Sequence, residues 1–157
     1  MIGTLLTALA LFAQDGGAAR VLVVTGLSGE AQYAKAFTEF GQIVVDAARQ
    51  RWGLPDSAVV YLAENPTVDP QRISGKATKD AVLSALARFA TETRPDDVVL
   101  VVLAGHGSEQ SETPRLSLPG PDLTADDLAT AFSAFQRQTV VLVNPASASG
   151  GFIKPLA

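Results

Sequence analysis

The chain contains a single histidine, His106, which lies between Gly105 and Gly107 directly after an apolar run at residues 98–104. A short apolar run predicts a buried strand, and open α/β sheets carry their functional residues at the carboxyl ends of strands. Glycine lets the backbone approach a ligand closely and leaves the N–H of Gly107 available as a donor. His106 is therefore a candidate general base.

A second apolar run, at residues 139–143, ends in a loop of mostly small residues that extends from Asn144 to Phe152. Two strand ends of this kind, one with a histidine and one with small polar side chains, can carry nucleophilic chemistry. If both strands belong to one parallel sheet, their carboxyl ends meet at the same edge. We therefore expect the two loops to lie side by side.

The elements that must position these loops alternate along the chain. Apolar β-branched runs predict two further strands, and apolar residues at helical spacing predict three helices. The predicted strands are 21–26, 58–62, 98–104 and 139–143, and the predicted helices cover 30–52, a segment that begins at Thr78, and 124–135. Residues 115–118 alternate like a short hairpin arm. This order predicts one α/β domain in three layers, a mainly parallel sheet with helices on both faces.

Acidic residues gather at the start of the third predicted helix, where Asp122, Asp126 and Asp127 could suggest a site for a hard cation. Acidic side chains also stabilise the positive end of a helix dipole, and Thr124 and Asp127 fit a capping box. We interpret them as a helix start. With one histidine and no cysteine in the chain, we predict no metal site and no cofactor.

Composition restricts the class of protein. The 157 residues are enough for one domain, and a 47% apolar content allows a packed core. The net charge of −4 argues against a nucleic-acid partner, which requires a basic face.

The segment from Met1 to Ala13 is apolar, carries no charged side chain and is followed by small residues. This pattern predicts a secretory signal over residues 1–19, with a mature chain that starts near Asp15 or Arg20 and is secreted or periplasmic. A frayed N-terminal helix is the alternative. The run is shorter than the roughly 20 residues of a membrane span, so no stable membrane insertion is expected.

The order and spacing of these motifs resemble the caspase-like cysteine peptidases, which include caspases, metacaspases, legumains and gingipains. In that family a His-Gly pair follows the third strand, and the nucleophile follows the fourth strand in a pattern like Asp-Ala-Cys-x-Ser-Gly. Here His106-Gly107 occupies the first position, and residues 149–152 match the family's Ser-Gly-Gly-Phe. Residues 118–124 also resemble the family's loop before the third helix. The resemblance covers residues 20–153 and implies a caspase-like domain of flavodoxin-like topology.

By this resemblance His106 and Ser147 are the catalytic positions, and the backbone N–H groups of Gly107 and Ser147 are the oxyanion donors. Ser147 stands where the family has its cysteine, and Pro145 stands where an acidic residue is usual. A serine hydroxyl has a far higher pKa than a thiol, and it needs an aligned base that is itself oriented by an acid. The sequence shows no clear partner for His106, since Glu109 and Glu112 lie in a loop of unknown reach.

The resemblance therefore predicts an exported peptidase homologue whose catalysis is impaired. One alternative is a serine hydrolase that uses a Ser147–His106 dyad. Another is a non-catalytic domain that binds a peptide or protein ligand in the same cleft or at its exposed sheet edge.

The chain ends at Ala157, just after the fourth predicted strand, whereas the family's sheet continues. We therefore expect a fragment or truncated gene model in which residues 139–143 form an edge strand. An apolar edge strand exposes unpaired backbone groups, so we also expect self-association through it.

Overall fold

The computed structural model describes residues 18–110 and 113–157. Its main sheet is entirely parallel and consists of β1 (Ala19–Thr25), β2 (Val59–Ala63), β3 (Gly75–Lys76), β4 (Val98–Ala104) and β8 (Thr139–Val143). The strand order is β3-β2-β1-β4-β8. This is a three-layer flavodoxin-like α/β fold, so the predicted fold class is confirmed.

Helices cover both faces of this sheet. They are α1 (Ala31–Asp46), which continues as a π-helical turn over Ala47–Arg51, α2 (Lys79–Glu92), α3 (Ala125–Phe132) and the single turn α4 (Ile153–Leu156). Short 3₁₀ turns lie at Asp56–Ala58, Pro66–Val68 and Ser149–Phe152. The predicted strands and helices thus all form, with boundaries shifted by a few residues.

The core has two halves because each buried parallel strand directs alternate side chains to opposite faces. In β1, Val21 and Val23 belong to the half that includes Val45 and Ala48 near the end of α1 and its π-helical turn. Leu22 and Val24 belong to the larger half, which includes side chains from α2 and α3.

A small antiparallel sheet lies between β4 and α3. It consists of β5 (Gly107–Gln110), β6 (Thr113–Leu116) and β7 (Leu123–Thr124), paired in that order. The first two residues of the predicted hairpin arm at 115–118 are in β6. Because β5 begins at Gly107, the predicted site lies at the start of this hairpin.

The strand β8 pairs with β4 in parallel register, from Val98 opposite Thr139 to Val102 opposite Val143. Among the described residues no strand pairs with its other side. Val140 and Leu142 pack on the larger half of the core, while Val141 and Val143 are 41% and 45% exposed. The expected edge strand is therefore present within the described part of the chain.

The predicted signal segment falls mostly outside the described residues, since the structure begins at Ala18 and β1 begins at Ala19. From residue 18 onward, leaving out residues 111 and 112, no helix is both long enough and apolar enough to cross a membrane.

Candidate functional site

The candidate base, His106, follows β4 at the carboxyl edge of the main sheet, next to the end of β1. Its ring packs edge-on against two aromatic side chains of α1, with ring centroids 4.8 Å from Tyr33 and 5.5 Å from Phe37. On its polar side, Nε2 lies 3.1 Å from the carbonyl oxygen of Ser28. A carbonyl oxygen can only accept, so Nε2 is the donor in this hydrogen bond and Nδ1 is the nitrogen left to act as a base. The surroundings thus define both the ring's orientation and its tautomer.

Ser28, in the loop after β1, is 7% exposed and is held by a carboxylate. Its N–H and its hydroxyl both donate to Oε2 of Glu64, at 3.0 Å and 2.6 Å. Its carbonyl oxygen also accepts from the N–H of Glu30 at 2.7 Å. The partner of His106 is therefore a firmly held backbone carbonyl.

This partner could not be predicted from the sequence because a backbone carbonyl leaves no residue-type signal. The usable signal was topological: the loop at residues 26–29 follows β1, and β1 is the neighbour of β4. Of the two acids considered from sequence, Glu109 is exposed and Glu112 lies outside the described residues.

The loop after β8 is anchored on both sides of Ser147. Before it, Asn144 Oδ1 accepts from the N–H of Ala146 at 3.1 Å, and Ala146 is buried in the core. After it, Ala148 adopts a left-handed backbone with φ of 56°, and Phe152 is buried. A left-handed alanine costs about 1–2 kcal/mol, which the anchored loop must offset. Ser147 itself is exposed at the tip of this turn.

The two loops meet through their backbones, as expected from sequence. A Cβ added at Gly107 would collide with the carbonyl oxygen of Ser147, so only glycine permits this approach. The structure does not join the two side chains: within the described part of the chain, Ser147 Oγ makes no hydrogen bond, to His106 or to any other group.

The predicted oxyanion donors are both backbone N–H groups. The N–H of Ser117 donates to the carbonyl of His106 at 2.9 Å, which makes Gly107 and Leu116 a non-hydrogen-bonded pair in the β5–β6 ladder. The N–H of Gly107 therefore points away from β6. Among the described residues the N–H of Ser147 has no acceptor either. Within the described part of the chain, both groups can therefore donate to a ligand.

A cavity of about 270 Å³ lies between α1 and the carboxyl ends of β1 and β2. Apolar side chains of Ala34, Phe37 and Val68 line part of it. Ser28 and Glu64 lie on its wall, so the hydrogen-bonded pair that holds the histidine borders this space.

The acidic residues of α3 lie in its first turn and stabilise the start of the helix, as interpreted from sequence. Thr124 Oγ accepts from the N–H of Asp127 at 3.1 Å, and Asp127 Oδ2 accepts from the N–H of Thr124 at 2.9 Å, which completes the capping box. Lys79 Nζ lies 2.7 Å from the same oxygen. Although desolvation alone would raise the pKa of Asp127, the hydrogen bonds from Lys79 and Thr124 outweigh it and lower that pKa. In residues 18–110 and 113–157, no group of three acidic or histidine side chains could hold a metal ion.

No protein-family model matches the chain, and no curated protein matches it. The resemblance to caspase-like peptidases therefore rests on the sequence motifs alone.

Proposed function

We propose that the chain is an exported caspase-like peptidase homologue whose cysteine-type catalysis is impaired because Ser147 occupies the nucleophile position. The observation that carries this proposal is the oriented imidazole. His106 stands at the carboxyl edge of β4 with Nε2–H bound to the Ser28 carbonyl, and its neighbouring residue Gly107 contacts the backbone of Ser147. A base, a candidate nucleophile position and backbone donors at one sheet edge are the parts that acyl transfer needs.

The chemistry of serine supports impairment. A serine nucleophile depends on a base that stabilises positive charge as it takes the proton, and a carboxylate normally supplies that stabilisation. Here His106 is oriented by a neutral carbonyl dipole. Within the described residues Ser147 Oγ has no hydrogen bond to the ring. A thiol needs less help, because a usable fraction is already thiolate near neutral pH.

What persists in such a protein is recognition of carbonyl groups. The N–H groups of Gly107 and Ser147 do not depend on the nucleophile's side chain, so an extended peptide can bind without being cleaved. The proposed partner is therefore a peptide or protein segment.

Hydrolysis of a panel of fluorogenic peptides by the wild type and by Ser147→Cys tests this function. We expect no hydrolysis by the wild type, and hydrolysis of at least one peptide by Ser147→Cys that His106→Ala removes. Ser149→Cys, a serine of the same loop, is the matched control and gains nothing.

The alternative, a serine hydrolase, is favoured by one observation: the Ser28 carbonyl engages Nε2 of His106, which leaves Nδ1 as the nitrogen that can act as a base. Wild-type hydrolysis that a serine-directed phosphonate blocks and Ser147→Ala abolishes would contradict impairment and establish this dyad.

The fold restricts where the mature chain can begin after export. The N–H of Ala18 donates to the buried Asp97 carboxylate at 2.6 Å, and the Ala18 carbonyl accepts from the N–H of Val98 at 3.1 Å. A mature chain that starts near Asp15 keeps these bonds, whereas one that starts at Arg20 loses them. We predict that the exported chain begins before Ala18, as measured by mass spectrometry of its N-terminus. A mature N-terminus at Arg20 would contradict this boundary, and Leu6→Arg, which interrupts the apolar run, should block export.

A further inference from the structure

We propose that Glu64 is a positioning residue for His106. Its carboxylate fixes Ser28, and the Ser28 carbonyl in turn fixes which ring nitrogen of His106 carries the proton. This inference rests on the proposed function and deepens it, because it identifies the group that sets the base in its working tautomer.

The sheet register brings Glu64 to Ser28. β1 and β2 are parallel, with Thr25 opposite Ala63, so Glu64 and the loop at residues 26–29 leave the same edge of the sheet. One carboxylate oxygen, Oε2, accepts both donors of Ser28, the N–H at 3.0 Å and the hydroxyl at 2.6 Å. Hydrogen bonds to a charged acceptor are about twice as strong as those between neutral groups.

The carbonyl end of Ser28 is restrained as well. Its oxygen accepts from the N–H of Glu30 at 2.7 Å and from Nε2 of His106 at 3.1 Å. All the polar groups of Ser28 are therefore used, and the residue is nearly fully buried. The carbonyl cannot turn away from the ring unless at least one of these bonds breaks.

The consequence for His106 is a proton held on Nε2. With the carbonyl in place, the hydrogen bond protects this proton from exchange with water and keeps Nδ1 as the basic nitrogen. Without Glu64 the loop loses two charge-assisted bonds at once, and the carbonyl is no longer held toward the ring.

NMR of the histidine ring tests this in the full chain, because the protein has one histidine and its signals need no assignment by elimination. In the wild type we expect a single Nε2–H resonance and a bare Nδ1. In Glu64→Ala we expect exchange of this proton to accelerate about tenfold or more, the scale of losing a hydrogen bond to a charged group. Glu64→Gln, which keeps an acceptor oxygen, should retain most of the protection. Glu30→Ala, an exposed glutamate two residues from Ser28 whose backbone N–H remains, should match the wild type.

A wild-type proton on Nδ1, or unchanged exchange in a folded Glu64→Ala, would overturn the inference. If Glu64→Ala does not fold, Ser28→Ala is decisive, since it removes the hydroxyl bond and keeps the N–H and the carbonyl. It should accelerate exchange by a smaller factor, and no acceleration would count against the proposal.

These measurements involve no engineered thiol and no substrate, so they can fail independently of the proposed function. Hydrolysis gained by Ser147→Cys together with an unchanged His106 spectrum in Glu64→Ala would reject the role of Glu64 alone. A Glu64-dependent His106 proton in a chain whose Ser147→Cys variant gains nothing would reject the proposed function alone.

Discussion

At the scale of single residues, the candidate site depends on the close approach of the Gly107 backbone to the carbonyl of Ser147. His106 and Gly107 could be proposed as site residues from sequence because a histidine flanked by glycines after an apolar run is a local pattern. The carbonyl of Ser28 was not identifiable, since its role comes from the neighbouring position of two strands that are distant in sequence. Glu64 was missed for the same reason, because only the folded register brings it to Ser28.

Gly107→Ala tests the contact between the two loops. Its added Cβ would meet the carbonyl of Ser147, which is backbone and cannot rotate away. We expect a loss of about 1–3 kcal/mol in the free energy of unfolding, the usual cost of overpacking, measured by urea denaturation. Gly150→Ala, in the loop of Ser147 but with open space around its Cβ position, is the control and should change stability by less than about 0.5 kcal/mol. Equal effects of the two substitutions would contradict the close approach.

At the scale of elements, the long strands and helices were predictable because hydrophobic periodicity specifies them. The two-residue strands β3 and β7 and the π-helical turn after α1 were not, since short elements depend on tertiary pairing rather than on a sequence period. The capping box of α3 was predictable from Thr124 and Asp127 alone, because capping is a local interaction.

The packing of α1 on the sheet depends on Gly41, above which the buried Tyr61 ring sits. A Cβ at position 41 would collide with this ring. Alanine in a helix is ordinarily favoured over glycine by about 0.5–1 kcal/mol, so the sign of Gly41→Ala is informative. We expect destabilisation in the wild-type background and stabilisation in a Tyr61→Val background, measured as a double-mutant cycle by thermal unfolding. Stabilisation in both backgrounds would contradict the steric conflict between a Cβ at position 41 and the Tyr61 ring.

The start of α3 gives a prediction that depends on pH. The pKa of Asp127 is lower in the folded protein than in the unfolded chain. Its ionised carboxylate therefore contributes fully to the free energy of unfolding at pH values above the ordinary pKa of an aspartate. This contribution is lost as the pH falls through the lowered pKa. At neutral pH we expect Asp127→Asn to cost about 0.3–1 kcal/mol in the free energy of unfolding, because it removes a negative charge at the helix N-terminus. In urea denaturation at a series of pH values, the difference from wild type should shrink under acidic conditions. Asp126→Asn, an exposed residue of the same turn, should show little effect at any of these values. A cost for Asp127→Asn that stays constant into acid would contradict the linkage.

At the scale of the whole molecule, the parallel sheet ends at β8 within the described residues, with Val141 and Val143 exposed on one face. The sequence predicted the pairing of β8 with β4 because a helix connects them as successive parallel strands, and the register confirms this pairing.

We predict that the 157-residue chain self-associates through this strand. Unpaired N–H and C=O groups on an apolar edge recruit another strand, and a charge on the edge prevents this. Val141→Lys should therefore shift the protein toward monomer in size-exclusion chromatography across a concentration series. Ile153→Lys removes a similarly exposed apolar side chain that lies outside any strand, and it should not have this effect. A wild type that is monomeric at every concentration would contradict self-association through β8.

The measurement that tests the central claim most directly is the pH dependence of alkylation in Ser147→Cys. The chain has no cysteine, so the introduced thiol is the only one that reacts. If position 147 is the nucleophile position served by His106, the pKa of this thiol should lie below its ordinary value of about 8.5 and return to that value in His106→Ala. Ser149→Cys should titrate in the ordinary range with or without His106. An ordinary thiol pKa in Ser147→Cys, unchanged by the loss of His106, would contradict the account.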